Sequence, residues 1–135
     1  MHKVKTMTHP ETGAILHRAR RVETVSYMGT SKAVEIEGWF PDNDGDGILI
    51  GDDSAPLDAA LSELKAAYQA ETQALAKRVR FSTGLTQRDA SLLLTGSPNS
   101  FSKYERGVAQ PSWPTFVLLK LLAGQPQLIE AIKKV

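Results

Sequence analysis

From residue 82 onward, the sequence is divided into short segments by residues that start and end helices. Glycine readily adopts the left-handed conformation that closes many helices, and three glycines mark predicted helix ends: Gly84, Gly96 and Gly107. Residues that cap a first turn, or fit its first position, mark the starts, and these are Thr86 with Asp89, Ser97 with Pro98, Ser112 and Pro126. This pattern predicts four short helices after the one that ends at Gly84.

The first two of these short helices, joined by Thr95-Gly96, predict a helix-turn-helix. At 100° per residue, three polar residues of the second helix fall within about 60° of Asn99, and they are Ser102, Lys103 and Arg106. Phe101 and Tyr104 lie on the opposite side. One face can therefore pack in a core, while the other presents hydrogen-bonding and cationic groups. Such a helix can enter the DNA major groove and bind base edges.

This part of the chain resembles the Xre/Cro family of helix-turn-helix repressors. The resemblance is carried by four segments, which are Leu85–Ala90, Phe101–Gly107, Gln110–Ser112 and Leu118–Leu122. A closer resemblance is to the MqsA (YgiT-type) antitoxins of bacterial toxin–antitoxin pairs. Their DNA-binding domain has the same pattern of Leu-Thr-Gln, Asn-x-Phe-Ser-basic-Tyr-Glu-basic-Gly and Gln-Pro. Their other half is a small β domain joined through helices.

The resemblance implies that Asn99 and Lys103 read bases, because they match the family's asparagine and basic residue four positions apart. The chemistry agrees, since asparagine pairs with adenine through two hydrogen bonds and lysine reaches guanine O6 and N7. Contacts to phosphates position a protein on DNA without specifying sequence, and the candidates are Gln87, Arg88, Ser97, Ser100, Ser102 and Arg106. The alternative is a helix face that is merely solvated.

The charge distribution favours two modules with different partners. Residues 1–72 hold seven Lys and Arg against twelve Asp and Glu, a net charge of −5, whereas residues 73–135 hold nine against three, a net charge of +6. A strongly basic half indicates a polyanionic partner such as double-stranded DNA. The acidic half suits a basic protein, and the resemblance implies a cognate toxin of ribonuclease type.

The first module has the pattern of a small antiparallel sheet over residues 20–51. Val22–Tyr27 and Lys32–Phe40 predict two strands joined by a turn at 28–31, and Ile48–Ile50 predicts a short third strand. A helix start follows at 52–56, and residues 57–81 contain no Gly or Pro. They predict one long helix, or two that break near residue 72. We expect a β-rich module over 1–55, a helical linker over 56–72 and a DNA-binding and dimerisation domain over 73–135.

The absence of cysteine excludes disulfides, iron–sulfur clusters and thiol catalysis. It also separates this chain from the family it resembles, whose N-terminal domain binds structural zinc through two Cys-x-x-Cys pairs. Those cysteines align with His9, Thr12, Pro41 and Asp44. Because proline cannot ligate a metal and threonine is a poor zinc ligand, we expect this module to fold without zinc.

The segment between the second and third predicted strands resembles a calcium loop. Asp42, Asp44, Asp46 and Asp53 occupy positions that carry oxygen ligands in an EF-hand. An EF-hand requires a helix before this loop, whereas residues 34–40 predict a strand. A solvated turn rich in Asp and Gly, or a docking site for a basic protein, therefore remains beside the calcium alternative.

The helix predicted from Trp113 to Ala123 is apolar on nearly all sides. Since a five-helix domain can cover only part of such a surface, we expect the rest to form a homodimer. The predicted contact residues are Phe116, Leu119, Leu122, Leu128 and Ile132. A two-fold dimer would place two recognition helices about 34 Å apart on a palindromic operator. The alternative is a monomer in which the last helix covers the fourth.

The sequence thus predicts an α+β chain with an N-terminal antiparallel β module, a helical linker and a C-terminal five-helix Xre/Cro-like domain. The function predicted is a sequence-specific repressor, the antitoxin of a toxin–antitoxin operon that it autoregulates. We expect no catalysis and no cofactor. We also expect no membrane span, because no apolar run approaches about 20 residues. The expected location is the cytoplasm. The alternatives are a free-standing Xre-type regulator of a phage or mobile element and a calcium-binding interaction protein.

Overall fold

A computed structural model of the chain describes residues 6–135. A three-stranded antiparallel sheet is followed by five helices, so the predicted α+β class is confirmed. The chain divides into two compact units, Met1–Lys65 and Ala66–Val135. Among the described helices, none combines the length and the apolar character needed to cross a membrane.

The sheet of the first unit consists of β1 (Thr6–Thr8), β2 (Ile15–Tyr27) and β3 (Thr30–Phe40), in that order. β2 and β3 form a hairpin in which Tyr27 pairs with Thr30. The two-residue turn has positive φ at both Met28 (46°) and Gly29 (80°). Positive φ at both positions is typical of the type I′ turn, whose twist matches that of the paired strands.

The strand boundaries correct the sequence prediction in three places. β2 begins at Ile15 rather than Val22, and β1 lies in a stretch for which no strand was predicted. Arg18 and Arg20 in the early part of β2 form ion pairs with glutamates of β3, so opposite charges hold a segment that lacks an apolar alternation. The predicted third strand at Ile48–Ile50 is wrong: it forms a single bridge, between Ile48 and Trp39.

The core of the first unit is small and lies near one end of the hairpin. Leu16, Ile36, Trp39 and Phe40 are buried. Toward the turn, both strands are exposed or half-buried on both faces. The buried cluster therefore holds the end of the sheet next to the residue 41–50 loop.

A 3₁₀ turn at Gly51–Ser54 leads directly into α1, which runs unbroken over Ala55–Thr83. Of the two arrangements predicted for this stretch, the single long helix is confirmed. Its continuity follows from an uninterrupted run of good helix formers, since neither Gly nor Pro occurs between 57 and 81.

The second unit contains the remainder of α1 and four shorter helices, which are α2 (Gln87–Thr95), α3 (Ser100–Arg106), α4 (Trp113–Gly124) and α5 (Leu128–Lys133). The predicted caps of α2 are confirmed, because Thr86 accepts a hydrogen bond from the Asp89 amide and Gly96 has a φ of 75°. Gly107 ends α3 in the same left-handed conformation.

The predicted start of α3 is wrong. Ser97 does not cap the helix; the N-cap is Asn99, and Ser97 and Pro98 belong to the preceding turn. The Ser97 carbonyl lies 3.4 Å from the Ser100 hydroxyl, and the Ser100 hydroxyl also contacts that of Thr95. These local hydrogen bonds compete with an earlier helix start.

Candidate functional site

One buried hydroxyl links α2 to α3. Ser91 of α2 is fully buried, donates from Oγ to the Gln87 carbonyl (2.6 Å) and accepts from the Phe101 amide of α3 (2.9 Å). The Phe101 amide lies in the first turn of α3, where helical amides have no partner within the helix. Ser91 therefore supplies a missing partner and ties the two helices together. Sequence analysis missed it, although a serine on the apolar face of α2 was a usable signal.

The structure places α3 with one side in the core and the other in solvent. Phe101 is fully buried and Tyr104 nearly so, and burial raises the pKa of the Tyr104 hydroxyl. Asn99 and Lys103 are exposed on the opposite side. Asn99 forms no side-chain cap bond, so its amide group is available to an outside partner. This arrangement meets the geometric requirement for a helix that reads base edges.

The six residues predicted to contact phosphates occupy different positions. Gln87 and Arg88 are exposed in the first turn of α2, and Ser97 is exposed in the turn between the helices. Arg106 is exposed, and its Nε donates to the Ser102 carbonyl (3.2 Å). Ser102 and Ser100 are half-buried, and the Ser100 hydroxyl is already hydrogen-bonded within the turn. Four of the six therefore keep exposed side chains around the start of α2 and the outer face of α3.

The C-terminal end of α3 is held by a row of side chains from α1. Gln69 donates to the Gly107 carbonyl (2.6 Å) and Gln73 to the Glu105 carbonyl (2.9 Å). Gly107 is tightly enclosed, because a Cβ built there would lie 2.8 Å from the Gln69 amide nitrogen. These donors satisfy carbonyls that have no partner within the helix at its C-terminus, so α1 fixes the position of the candidate reading helix.

An ion pair completes this attachment. Arg80 of α1 donates from Nε and Nη2 to the two carboxylate oxygens of Glu105 at 3.0 and 2.9 Å. Glu105 is 6% exposed, and its hydrogen bonds raise the pKa of Arg80. Sequence analysis missed this pair. The signal was present, because Glu105 lies on the same side of α3 as Phe101 and Tyr104, and a charge on a core-facing side needs a partner.

The predicted dimer contacts require a correction. Phe116, Leu119 and Leu122 are buried within the single chain, so these side chains have almost no surface left for a second copy. Leu128 and Ile132 are half-buried. The apolar surface of α4 that is exposed consists of different residues, four positions apart, and these are Trp113, Val117 and Leu121.

The aspartate-rich loop is organised by an arginine of this chain. Arg21 donates to the carbonyls of Pro41 (3.1 Å), Asn43 (2.6 Å) and Gly45 (2.9 Å). The guanidinium carbon lies 4.3 Å from the centroid of the Phe40 ring. Guanidinium is planar and carries several donors in a fixed arrangement, so one side chain fixes the path of the whole loop.

These contacts weigh against the calcium-loop alternative. Asp53, its proposed last ligand, accepts two hydrogen bonds from Arg18 at 2.8 and 3.0 Å, and this contact, with the Ile50 amide, lowers the pKa of Asp53. The element before the loop is β3, not a helix. A cation in the loop would also lie near Arg21. The other three proposed ligands, Asp42, Asp44 and Asp46, are exposed.

The zinc site implied by the resemblance does not fit the residues present. His9 Nδ1 accepts the amide protons of Glu11 (3.1 Å) and Thr12 (3.3 Å), and Pro41 offers only a carbonyl, which Arg21 occupies. Across residues 6–135, no three His, Cys, Asp or Glu side chains are grouped so that they could hold a metal ion. In this chain, hydrogen bonds to His9 and from Arg21 hold the two segments that correspond to the zinc-binding pairs.

Comparison with known proteins identifies a family that matches most of the chain. Residues 7–133 match the family described as "Antitoxin component of bacterial toxin-antitoxin system, MqsA". The chain is also 34% identical over 100 residues to the Antitoxin MqsA of Escherichia coli (strain K12), a match that covers 73% of this chain and 76% of that relative. The match to the family includes almost every described residue of the sheet and of the five helices. The chain belongs to the MqsA family of antitoxins from bacterial toxin–antitoxin systems.

Proposed function

We propose that this antitoxin is a sequence-specific repressor that binds the operator of its own operon through α2 and α3. The observation that carries the proposal is the outer face of α3, where Asn99 and Lys103 are exposed while Phe101 and Tyr104 anchor the helix in the core. The net charge of +6 over residues 73–135 supports a polyanionic partner. The chain would act by binding, without catalysis.

The division of labour follows the charge of the two parts of the chain. Residues 1–72 carry a net charge of −5, which suits a ribonuclease-type toxin whose active surface must attract RNA. We therefore assign toxin binding to the β-rich module over 1–55, and DNA binding to 73–135, with 56–72 as the linker. A toxin held by the first part leaves the reading helix of the second part free to bind DNA.

A homodimer would match the two-fold symmetry of a palindromic operator. The exposed apolar residues of α4, Val117 and Leu121 with Trp113, are the surface we propose for this contact. The half-buried Leu128 and Ile132 of α5 are the remaining candidates from the sequence. A two-fold axis would set two copies of α3 about 34 Å apart, one DNA turn.

Operator binding by an Asn99→Ala variant tests the proposal. Loss of a bidentate contact to adenine should cost about 1–3 kcal/mol at the operator, and little on DNA of random sequence. Lys103→Ala should weaken binding to the operator and to random DNA, because lysine also contributes a non-specific attraction to phosphates. Gln125→Ala, which removes an exposed amide beyond α4, is the matched control for Asn99→Ala and should bind as the wild type does. Fluorescence anisotropy at fixed salt measures all four proteins.

Equal losses on operator and random DNA for Asn99→Ala would contradict base reading by α3. A chain that binds no DNA upstream of its own gene, but binds elsewhere, would favour a free-standing regulator instead.

A further inference from the structure

The first unit contains a groove that the proposed DNA-binding role does not use. Its volume is about 590 Å³. It is lined by His9 and Glu11 from the turn before β2, by residues 23–25 of β2, and by Asp46 and Gly47 of the loop after β3. Its apolar lining includes the half-buried side chains of Val25, Leu49 and Leu57, together with the buried Ile36 and Phe40. The groove therefore offers an apolar floor next to polar walls.

Three carboxylates line this groove without a cation of their own. Glu11, Glu23 and Asp46 are exposed, and within residues 6–135 none of them takes part in an ion pair. Other acids of the unit are paired, including Glu35 with Arg20 and Asp53 with Arg18. Three unpaired negative charges therefore lie around this groove.

A buried histidine also presents a donor to the groove. His9 is 7% exposed, and its Nδ1 accepts two amide protons. A neutral imidazole that accepts at Nδ1 carries its proton on Nε2. In the described part of the chain, Nε2 has no hydrogen-bond partner, and it is not among the atoms sealed from solvent. Because His9 lines the groove, its free N–H is offered to whatever the groove binds.

We propose that this groove binds an extended basic segment of the toxin, and this inference rests on the toxin-binding role proposed above for the first part of the chain. A lysine or arginine of the segment lies among Glu11, Glu23 and Asp46. An aliphatic neighbour packs on the half-buried Val25, Leu49 and Leu57, and a backbone carbonyl accepts from His9 Nε2. Only an occupant with cationic, apolar and carbonyl groups in one short segment satisfies all three features.

The first experiment measures the affinity of full-length variants for the toxin encoded beside this chain. The double variant Glu23→Gln/Asp46→Asn removes two of the unpaired charges and keeps the shapes of the side chains. It should weaken toxin binding by about tenfold at low salt and make binding less dependent on salt. Asp44→Asn changes an exposed aspartate of the same loop that does not line the groove. This control should stay within twofold of the wild type.

His9→Asn tests the donor separately. The asparagine side-chain oxygen can still accept an amide proton two residues on, as in an Asx turn, but it offers no group at the position of Nε2. Toxin affinity should fall about fivefold while the melting temperature stays close to that of the wild type. Wild-type affinity for both His9→Asn and the double carboxylate variant would overturn the proposal.

The second experiment uses a peptide in place of the toxin, so that the groove and the proposed function can fail separately. An acetylated, amidated hexapeptide of alternating lysine and valine is titrated into the ¹⁵N-labelled full chain. Amide signals should shift around residues 9–12, 22–25 and 45–47, and the same peptide with glutamate for lysine should leave them unchanged. Absent shifts, or shifts elsewhere, overturn the groove assignment even if the toxin binds.

A toxin that does not bind the wild-type chain contradicts the proposed toxin-binding role, and the peptide titration then decides the groove by itself. Calcium or zinc alone, at micromolar concentration, is added to the labelled chain as a third sample. Shifts at the same residues would show that the groove binds a metal ion rather than a basic peptide, and this result would overturn the proposal.

Discussion

Glu105 shows how a single side chain positions the candidate reading helix. Its buried carboxylate is held by Arg80 of α1 through two hydrogen bonds. Removing one partner of a buried pair leaves the other charge without compensation. The position of α3 therefore depends on a residue that lies on its buried side.

We predict that Glu105→Gln lowers the free energy of unfolding by about 2 kcal/mol, since the Arg80 side chain is 21% exposed and retains some contact with water. Urea denaturation measures it. Glu130→Gln is the matched control, because it makes the same substitution in an exposed pair with Lys133, which should be worth well under about 1 kcal/mol. Similar midpoints for the two variants would show that the Arg80–Glu105 contact contributes nothing specific.

The contact between Asp53 and Arg18 predicts a pH dependence in the first unit. The hydrogen bonds from Arg18 lower the pKa of Asp53 in the folded chain, whereas in the unfolded chain it lies near about 3.9. The carboxylate therefore stabilises the fold at pH above about 4, and this contribution is lost as the pH falls through the lowered value. Asp53→Asn should lower stability at pH 7 and bring it closer to the wild type below pH 4, as thermal melts across that range would measure. A constant difference at every pH would contradict the assignment.

At the scale of elements, the loop after β3 is held by one guanidinium. Arg21 binds three loop carbonyls and packs on Phe40. Lysine carries the same charge but cannot direct donors to three carbonyls in one plane. A strand residue therefore ties together the first part of this loop.

Arg21→Lys should therefore reduce hydrogen-exchange protection across residues 41–48 and destabilise the unit by about 1–2 kcal/mol. Arg20→Lys is the control, since Arg20 contacts Glu35 in an exposed pair. Protection of the loop that is unchanged in Arg21→Lys would mean that the backbone alone sets its path.

At the scale of the whole molecule, the proposed homodimer depends on which apolar residues the fold leaves uncovered. Leu119 and Leu122 lie inside the protomer, whereas Leu121 is 50% and Val117 38% exposed. A homodimer must use the exposed residues, because burial of apolar surface is what drives association.

Val117→Lys/Leu121→Lys in the full chain should shift a dimer toward the monomer without a large change in secondary structure. Sedimentation velocity from 1 to 50 μM, with circular dichroism of the same samples, measures both. Lys120→Ala changes the intervening residue on the same helix and should leave the dimer intact. A wild-type chain that stays monomeric throughout this range would remove the dimer, and with it the reason to expect a palindromic operator.

In the second unit, the sequence alone determined several helix boundaries and the exposed face of α3. The start of α2 was predicted from Thr86, and the ends of α2 and α3 from Gly96 and Gly107. These predictions succeed because helix capping requires particular side chains or a left-handed backbone, whatever the tertiary surroundings. The amphipathic spacing of Asn99, Phe101 and Lys103 likewise predicted which face of α3 would be exposed. Such features depend on residues within one or two turns of each other, so the sequence alone is sufficient.

Tertiary structure decided what depends on partners distant in sequence. Strand β2 starts at Ile15 because its first residues pair with β1 and the following residues pair with β3. Arg21 binds the carbonyls of a loop about 20 residues away. The buried contacts of Ser91 and Glu105 and the exposure of Leu121 rather than Leu122 were settled in the same way. Burial and pairing are set by how elements pack, and a helix that is apolar on nearly every side does not reveal from its own sequence which side the rest of the chain will cover.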